Sequence, residues 1–259
     1  MPPRSRSSAT HMSPPASPRA PRTATARLVP ALAALTAVAA AAAIPAGCAT
    51  PAGVSEPLPA ERDLTATAVT SLGELDSASV TFRTTGYVPG LAVHEFDGEV
   101  STSGEYGTAQ GEARLYHPDG ERDDVEFMLA NGTIHVTRGD GVRRSQPAPR
   151  NARPGWLFDA DTGFGYLLEH AEDLRAESVE DLAGNRTYRV AATVPEEAVT
   201  TLLPEVTGQA TVKFWVSALD ETGQEEPQAV HRLWIQLPPQ RQGSGAVLLE
   251  LDLADITLR

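Results

Sequence analysis

Beginning at Val80, much of the chain shows apolar residues with a period of two, the spacing of a β-strand that buries one face. Val80 and Phe82, for example, alternate with Thr81 and Arg83. Turn sequences separate the alternating segments, and Asn131-Gly132 is the strongest hairpin signal among them. The pattern predicts an antiparallel meander with one apolar face and one solvated face.

Three helical segments are predicted, one before this meander and two that interrupt it. Leu64, Ala68 and Leu72 recur at helical spacing and predict a first helix from Glu61 to near Ser77.

The expected strands are Val80–Thr84, Val93–Thr102, Thr108–Tyr116, Asp124–Leu129, Ile134–Val136, Ala176–Asp181, Tyr188–Val194, Ala210–Leu219, Ala229–Leu237 and Ala246–Leu258.

The second and third helices lie between strands. A loop from Pro147 to Ala160 contains the apolar cluster Trp156-Leu157-Phe158, and Asp161 or Thr162 is expected to cap the second helix. Pro195 is expected to begin the short third helix. One apolar stripe of the second helix is formed by Phe164, Leu167, Leu168, Ala171 and Leu174.

The order of helices and strands indicates an α+β fold in residues 61–259. One curved antiparallel sheet, a half-barrel, is expected to carry the helices on its concave face.

The N-terminal part of the chain has the features of an export signal. Five arginines and no acidic residue precede an apolar run that ends in Ala46-Gly47-Cys48. Cys48 resembles the lipid-modified cysteine of a bacterial lipoprotein box, although Pro45 stands where that box usually carries Leu. We predict that residues 1–47 are a lipoprotein signal peptide, starting at Met1 or Met12, and that Cys48 carries a diacyl or triacyl anchor.

Residues 48–60 are rich in proline and are predicted to be a disordered tether behind the anchor. The domain would then be exported and held at the outer face of the cytoplasmic membrane, in the cell envelope. An ordinary signal peptide with a chance cysteine is the alternative.

The chain after residue 47 is strongly acidic. It keeps 16 of the 21 basic residues and all 34 acidic ones, which gives a net charge of −18. This charge argues against nucleic acid as a partner and against electrostatic attachment to anionic lipid surfaces. Because Cys48 is the only cysteine, the fold cannot rely on a disulfide.

No constellation for metal binding, cofactor binding or catalysis stands out. Asp159, Asp161 and Gly163 hint at a calcium loop, but the glycine falls at its fifth position and His170 at its twelfth, so a helix cap explains them better. No two of the six histidines stand at a metal-ligand spacing, and each is expected at the surface or a strand edge. They are His11, His94, His117, His135, His170 and His231.

Seven short strings follow one another in a fixed order between Ser79 and Val199. They are Ser79-Val-Thr-Phe82, Pro89-Gly-Leu91, Asn131-Gly-Thr-Ile134, Trp156-Leu-Phe-Asp159, Asp161-Thr-Gly163, Asn185-Arg-Thr-Tyr-Arg-Val190 and Val194-Pro-Glu-Glu-Ala-Val199.

Together with the order of elements, these strings resemble the LprG/LppX-type lipoproteins of mycobacteria and their relatives. The resemblance implies a half-barrel closed by helices around a large apolar cavity. It also implies binding of acylated lipids or glycolipids, which such proteins carry across the envelope, in some cases alongside a membrane exporter. The expected cavity residues are Val80, Phe82, Leu115, Phe127, Leu129, Ile134, Val136, Trp156, Leu157, Phe164, Leu167 and Leu168.

Two other functions remain open from the residues alone. An adaptor would bind another envelope protein through its concave apolar face, and it would need a filled core with an exposed apolar patch. An enzyme would need a cluster of perturbed carboxylates, for example near Asp159 and Asp161. A carrier instead needs a hollow, because the same apolar residues otherwise pack together as core.

Overall fold

The structure is a computed structural model that describes residues 57–116, 122–218, 228–241 and 243–259. All of them lie within one compact unit, Ser55–Arg259. The predicted signal peptide, Cys48 and most of the predicted tether lie outside the described residues. No helix in the described ranges is long and apolar enough to cross a membrane.

Eleven strands form the framework of this unit. In chain order they are β1 Leu75–Thr84, β2 Val93–Ser101, β3 Thr108–Tyr116, β4 Arg122–Ala130, β5 Thr133–Arg138, β6 Arg143–Pro147, β7 Glu172–Leu182, β8 Asn185–Val194, β9 Ala210–Ser217, β10 Val230–Leu237 and β11 Val247–Leu258.

All eleven strands belong to a single antiparallel sheet with the order β6-β5-β4-β3-β2-β1-β11-β10-β9-β8-β7. The chain therefore builds one half of the sheet outward from β1 to β6 and returns through the other half from β7 to β11. The halves join where β1 pairs with β11, from Leu75 opposite Leu258 to Thr84 opposite Leu249. This confirms the α+β fold with one open antiparallel sheet.

The helices do not cover the two halves of the sheet equally. The helix α1 packs against β7, β8, β9 and β10, and the short α2 contacts β2. Of the remaining helices, α3 packs against α1, and α4 packs against α3. Their bounds are α1 Glu61–Gly73, α2 Pro154–Leu157, α3 Gly163–Glu169 and α4 Glu196–Leu202, and a 3₁₀ turn spans Arg150–Ala152.

Sheet pairing shortens two helices relative to their predicted lengths. The helix α1 ends at Gly73 and not near Ser77, because Leu75 already pairs with Leu258. Likewise α3 ends at Glu169, and β7 begins at Glu172, so Ala171 and Leu174 are not helical.

Two local predictions in the middle of the chain were wrong. The strand β6 was missed because all five of its residues are exposed and show no apolar alternation. Thr162 does occupy the N-cap position of α3, but its hydroxyl donates to the Trp156 carbonyl oxygen (2.8 Å) and to Asp159 Oδ1 (3.1 Å). The side chain therefore braces the preceding turn and does not accept a hydrogen bond from a helix amide.

A pair of glycines marks a close approach of β2 and β3. Gly98 stands opposite Gly111 in the register, and both fall on the face that also carries Phe96 and Ala109. A Cβ atom on Gly98 would lie 2.1 Å from the Gln110 carbonyl oxygen and 2.8 Å from the Gly111 Cα. Because the two backbones approach so closely, no side chain can be accommodated between the strands at this point.

We expect Gly98→Ala to lower the free energy of unfolding by about 2 kcal/mol or more, since backbone atoms must move to admit the methyl group. Gly139→Ala is the control, because a Cβ there meets no atom within 4 Å, and its effect should stay within about 0.5 kcal/mol. Urea denaturation followed by circular dichroism measures both variants. Equal stabilities of the two would contradict the close approach.

Candidate functional site

An apolar cavity of about 270 Å³ lies against the first half of the sheet. Its walls are inward-facing side chains of β1 to β5 and of β11, and α2, α3 and the end of α4 complete them. The helix α1, which fills the space above β7 to β10, contributes no residue to these walls. The hollow therefore exists where the helical layer is thinnest.

Eight of the twelve residues expected to line a cavity are found in its walls. Four of them come from β1, β3 and β4, two from β5, and two from α2 and α3. They are Val80, Phe82, Leu115, Phe127, Ile134, Val136, Leu157 and Phe164.

The other four expected residues lie elsewhere. Leu129, Leu167 and Leu168 are almost fully buried, with exposures of 1%, 1% and 0%, and they pack as ordinary core. Trp156 is half-buried against the same core. Leu167 and Leu168 differ from Phe164 because α3 directs them toward the packed helices, a distinction that spacing along one helix does not reveal.

Several wall residues were not predicted from the sequence. On β2 and β11 they include Phe96, Leu249 and Leu251, and the loop after α2 adds Phe158. A signal for β11 was present, since Leu249 and Leu251 alternate with Glu250 and Asp252. Their place in this wall depends on the pairing of Phe82 with Leu251, however, and no local pattern reports that pairing.

Aromatic pairs stiffen two parts of the wall. The rings of Phe96 and Phe127 meet edge to face with centroids 5.7 Å apart, and those of Phe158 and Phe164 are also 5.7 Å apart. Phe127 stands opposite Gly111 in the register, so its ring lies beside the glycine pair of β2 and β3. Such pairs contribute about 0.5–1.5 kcal/mol each beyond the burial of their area.

The cavity reaches the surface at two of its borders. Gly90 and Ala92, in the loop between β1 and β2, are exposed wall residues, and so are Gln146 and Pro149 at the β6 edge. Gln146 and Asn151 are the wall residues with polar side chains. The interior is thus almost wholly apolar, while hydrogen-bonding groups are confined to the rim.

A buried histidine lies beside the wall residue Val93. His94, which was expected at the surface or a strand edge, is only 6% exposed and is the second residue of β2. Its Nδ1 lies 2.7 Å from the Thr84 hydroxyl oxygen, which also donates to the Gly86 carbonyl. Burial lowers the pKa of His94, and the nearby charges of Arg122 and Arg114 lower it further, against the opposite influence of Glu95.

The acidic turn before α3 is a structural turn. Asp159 Oδ1 accepts hydrogen bonds from the Asp161 amide (3.0 Å) and from the Thr162 hydroxyl (3.1 Å). Within the described ranges, no three His, Cys, Asp or Glu side chains are grouped so that they can hold a metal ion. The cavity itself carries no ionisable wall residue among those described. Its chemistry is suited to enclosing apolar groups.

The sequence of this chain matches a known protein family and several of its members. The model of the LppX_LprAFG lipoprotein family matches residues 60–251. The lipoarabinomannan carrier protein LprG of Mycobacterium tuberculosis is 27% identical over 172 residues, which are 65% of this chain and 70% of that protein.

Two solved structures share the architecture. The crystal structure of LprF from Mycobacterium bovis matches with a TM-score of 0.64 at 18% identity, over 78% of this chain and 97% of that one. The Mycobacterium tuberculosis lipoprotein LppX matches with a TM-score of 0.55 at 21% identity, over 76% of this chain and 96% of that one. At these identities the likeness shows the fold.

The buried histidine generates a pH prediction. Because the pKa of folded His94 lies below the ordinary 6.5, its contribution to stability is complete above pH 6.5 and is lost as the pH falls toward the folded pKa. We expect the urea midpoint to fall between pH 7.5 and pH 5.5, and to fall less in His94→Gln. His135→Gln, at a half-buried hydrogen-bonded histidine, controls for the loss of a histidine as such. An unchanged pH dependence in His94→Gln would contradict the assignment.

Proposed function

Since this chain belongs to the LppX_LprAFG lipoprotein family, we propose that it is a lipid carrier that encloses the acyl chains of a lipid or glycolipid in the cavity between β1–β5 and the helices. It performs no covalent chemistry on this cargo. The name of LprG, a lipoarabinomannan carrier, supports a carrier role. The observation that carries the proposal is the apolar cavity itself.

The energetics of an apolar cavity favour acyl chains. A saturated chain of sixteen carbons, fully buried, contributes on the order of 12 kcal/mol of gross transfer free energy, at roughly 0.8 kcal/mol per CH₂ group. Ordering the chain and the protein consumes part of this gain. The remainder is still sufficient to hold a lipid without a single hydrogen bond inside the walls.

The size of the cavity sets a condition on this function. Its volume of about 270 Å³ falls just below the range of roughly 300–1,000 Å³ that is typical of small-molecule pockets. A lipid with two or three acyl chains needs more room. Binding such a cargo therefore requires a wall segment to move away from the sheet, and we infer that this segment is the four-residue α2.

The same proposal includes an anchor and a place in the cell. A diacyl or triacyl group on Cys48 would hold the domain at the outer face of the cytoplasmic membrane, since two or more chains give stable attachment where one does not. Residues 49–60 would space the cavity from the bilayer. A membrane exporter is the expected protein partner, because a carrier must receive or deliver its cargo there.

The adaptor hypothesis finds less support in the described residues. An adaptor would need a filled core and a continuous exposed apolar patch. The large hydrophobic side chains exposed in this part of the chain are Met128 and Val142, at 44% and 47%. They lie on β4 and in the loop between β5 and β6, and the core has a hollow.

Native mass spectrometry tests the carrier directly. The full chain carrying Cys48→Ser, which removes the proposed anchor as a source of lipid mass, is purified without detergent from an actinobacterial host. We expect an adduct of lipid mass that disappears after organic extraction. A bare polypeptide mass, together with no uptake of added diacyl or triacyl lipid, would overturn the proposal and leave the adaptor.

Neighbouring residues of β5 offer a matched pair of variants. Val136 lines the cavity, whereas Thr137 lies on the opposite face of the sheet. We expect Val136→Trp to fill the hollow and to lower lipid occupancy at lipid concentrations below the dissociation constant by about tenfold or more, because the lost burial of two CH₂ groups already weakens the affinity by this factor. Thr137→Trp should leave occupancy unchanged, and equal occupancies would contradict the assigned wall.

A further inference from the structure

The segment from Arg138 to Arg153 is basic in an otherwise acidic chain. Within its 16 residues lie five of the 21 basic residues of the protein and a single acidic one, Asp140. The Asp140 carboxylate accepts a hydrogen bond from the Val142 amide in the turn between β5 and β6. This segment also forms one border of the cavity, because Gln146 and Asn151 are wall residues.

Two of the five arginines already have partners. Arg138 pairs with Asp123 at 2.6 Å. Arg153 donates twice to the Ala148 carbonyl oxygen, at 3.0 and 2.7 Å, and its guanidinium lies 4.9 Å from the centre of the Tyr106 ring. Their charges therefore serve the fold.

The other three have no such role. Arg143, Arg144 and Arg150 are exposed. Throughout the described ranges, no hydrogen bond, ion pair or aromatic ring engages their guanidinium groups. Three free guanidinium groups thus lie within eight residues of one another.

The register of β6 separates these three side chains. Gln146 is opposite Ile134, and Arg144 is opposite Val136; both partners on β5 line the cavity. Since directly opposed residues share a face of the sheet, Arg144 lies on the cavity side, next to Gln146. Arg143 falls on the other face, where it borders a groove with His135 and Thr137.

Arg150 stands at the same border. Its neighbours Pro149 and Asn151 are both wall residues, and Pro149 is exposed, so the backbone of Arg150 forms part of the rim. On the opposite border, the Glu205 carboxylate lies close to Gly90, 3.2 Å from where a Cβ atom would be. The rim therefore carries free arginines at β6, whereas at the loop between β1 and β2 it carries the Glu205 carboxylate together with Arg241, whose guanidinium stacks on Tyr87 at 4.0 Å.

We propose that Arg144 and Arg150, with the amides of Gln146 and Asn151, bind an anionic phosphate-bearing headgroup whose acyl chains occupy the cavity. The inference rests on the proposed lipid-carrier function and names the class of cargo. Guanidinium groups suit a phosphate because they present forked donors that bind two oxygens at once. The net charge of the chain does not oppose this, because exposed charges more than about 8 Å away are largely screened at physiological salt.

Short-chain lipids that stay monomeric separate headgroup binding from membrane binding. The Cys48→Ser chain, freed of cargo by organic extraction, is titrated calorimetrically with dioctanoyl-phosphatidylglycerol, with dioctanoylglycerol, and with glycerol phosphate, which has the phosphate and no chains. The test variant is Arg144→Gln/Arg150→Gln. The control is Arg62→Gln/Arg83→Gln, which removes the same charge at exposed arginines outside the cavity wall.

We expect the Cys48→Ser chain without further substitutions to bind the anionic lipid about fivefold more tightly than the neutral one, as two exposed ion pairs of about 0.5 kcal/mol each predict. The test variant should bind both lipids with the affinity of the neutral one, and the control should keep the preference. Glycerol phosphate should bind far more weakly than the anionic lipid.

Three results would overturn the proposal while leaving the carrier intact. They are equal affinity of the unaltered chain for both lipids, a preference that survives in the test variant, and tight binding of glycerol phosphate, which would make this a site for free phosphate. Failure of every lipid to bind would instead remove the carrier function together with this inference.

Discussion

The pairing of the first strand with the last is the constraint on which the rest of the structure depends. Without the β1–β11 ladder the chain would hold two separate meanders, each with one apolar face exposed. The ladder places Leu251 opposite Phe82 and Leu249 opposite Thr84, and three of these residues meet at the cavity or its edge. It joins residues that are far apart in sequence, so it closes a long loop and is entropically costly until the surrounding apolar surface is buried.

Once joined, the two halves of the sheet have different roles. Both faces of the second half are packed: Phe214 and Leu233 face the helices, while Trp215 and Trp234 meet on the outer face with ring centroids 4.9 Å apart. The two indoles donate to Glu180 and Glu250, so the polar ends of these rings are satisfied as well. A half-sheet packed on both sides makes a firm support, and the apolar cavity lies against the other half.

The sequence predicted the elements better than the hollow between them. Period-two alternation identified ten of the strands, and it failed for β6 because exposed Arg143–Pro147 carry no alternation. Alternation also reports which residues point inward, as for Val80 and Phe82. It does not report whether an inward residue meets another side chain or empty space. That difference separates Leu129, which is 1% exposed and packs as core, from Phe127, which lines the cavity on the same strand.

The same limit applies to charge. A net charge of −18 after residue 47 describes the whole chain and does not report how the charge is distributed. On the acidic outer face of β2 to β4, Arg114 lies 2.8 Å from Glu95 and 2.7 Å from Asp124, so its charge is neutralised where it stands. The rim at β6 is different, because Arg144 and Arg150 have no acidic partner among the residues that the structure describes. The headgroup of the proposed lipid cargo would therefore meet the few groups at the mouth, whereas the sum over the chain governs its behaviour toward an extended anionic surface.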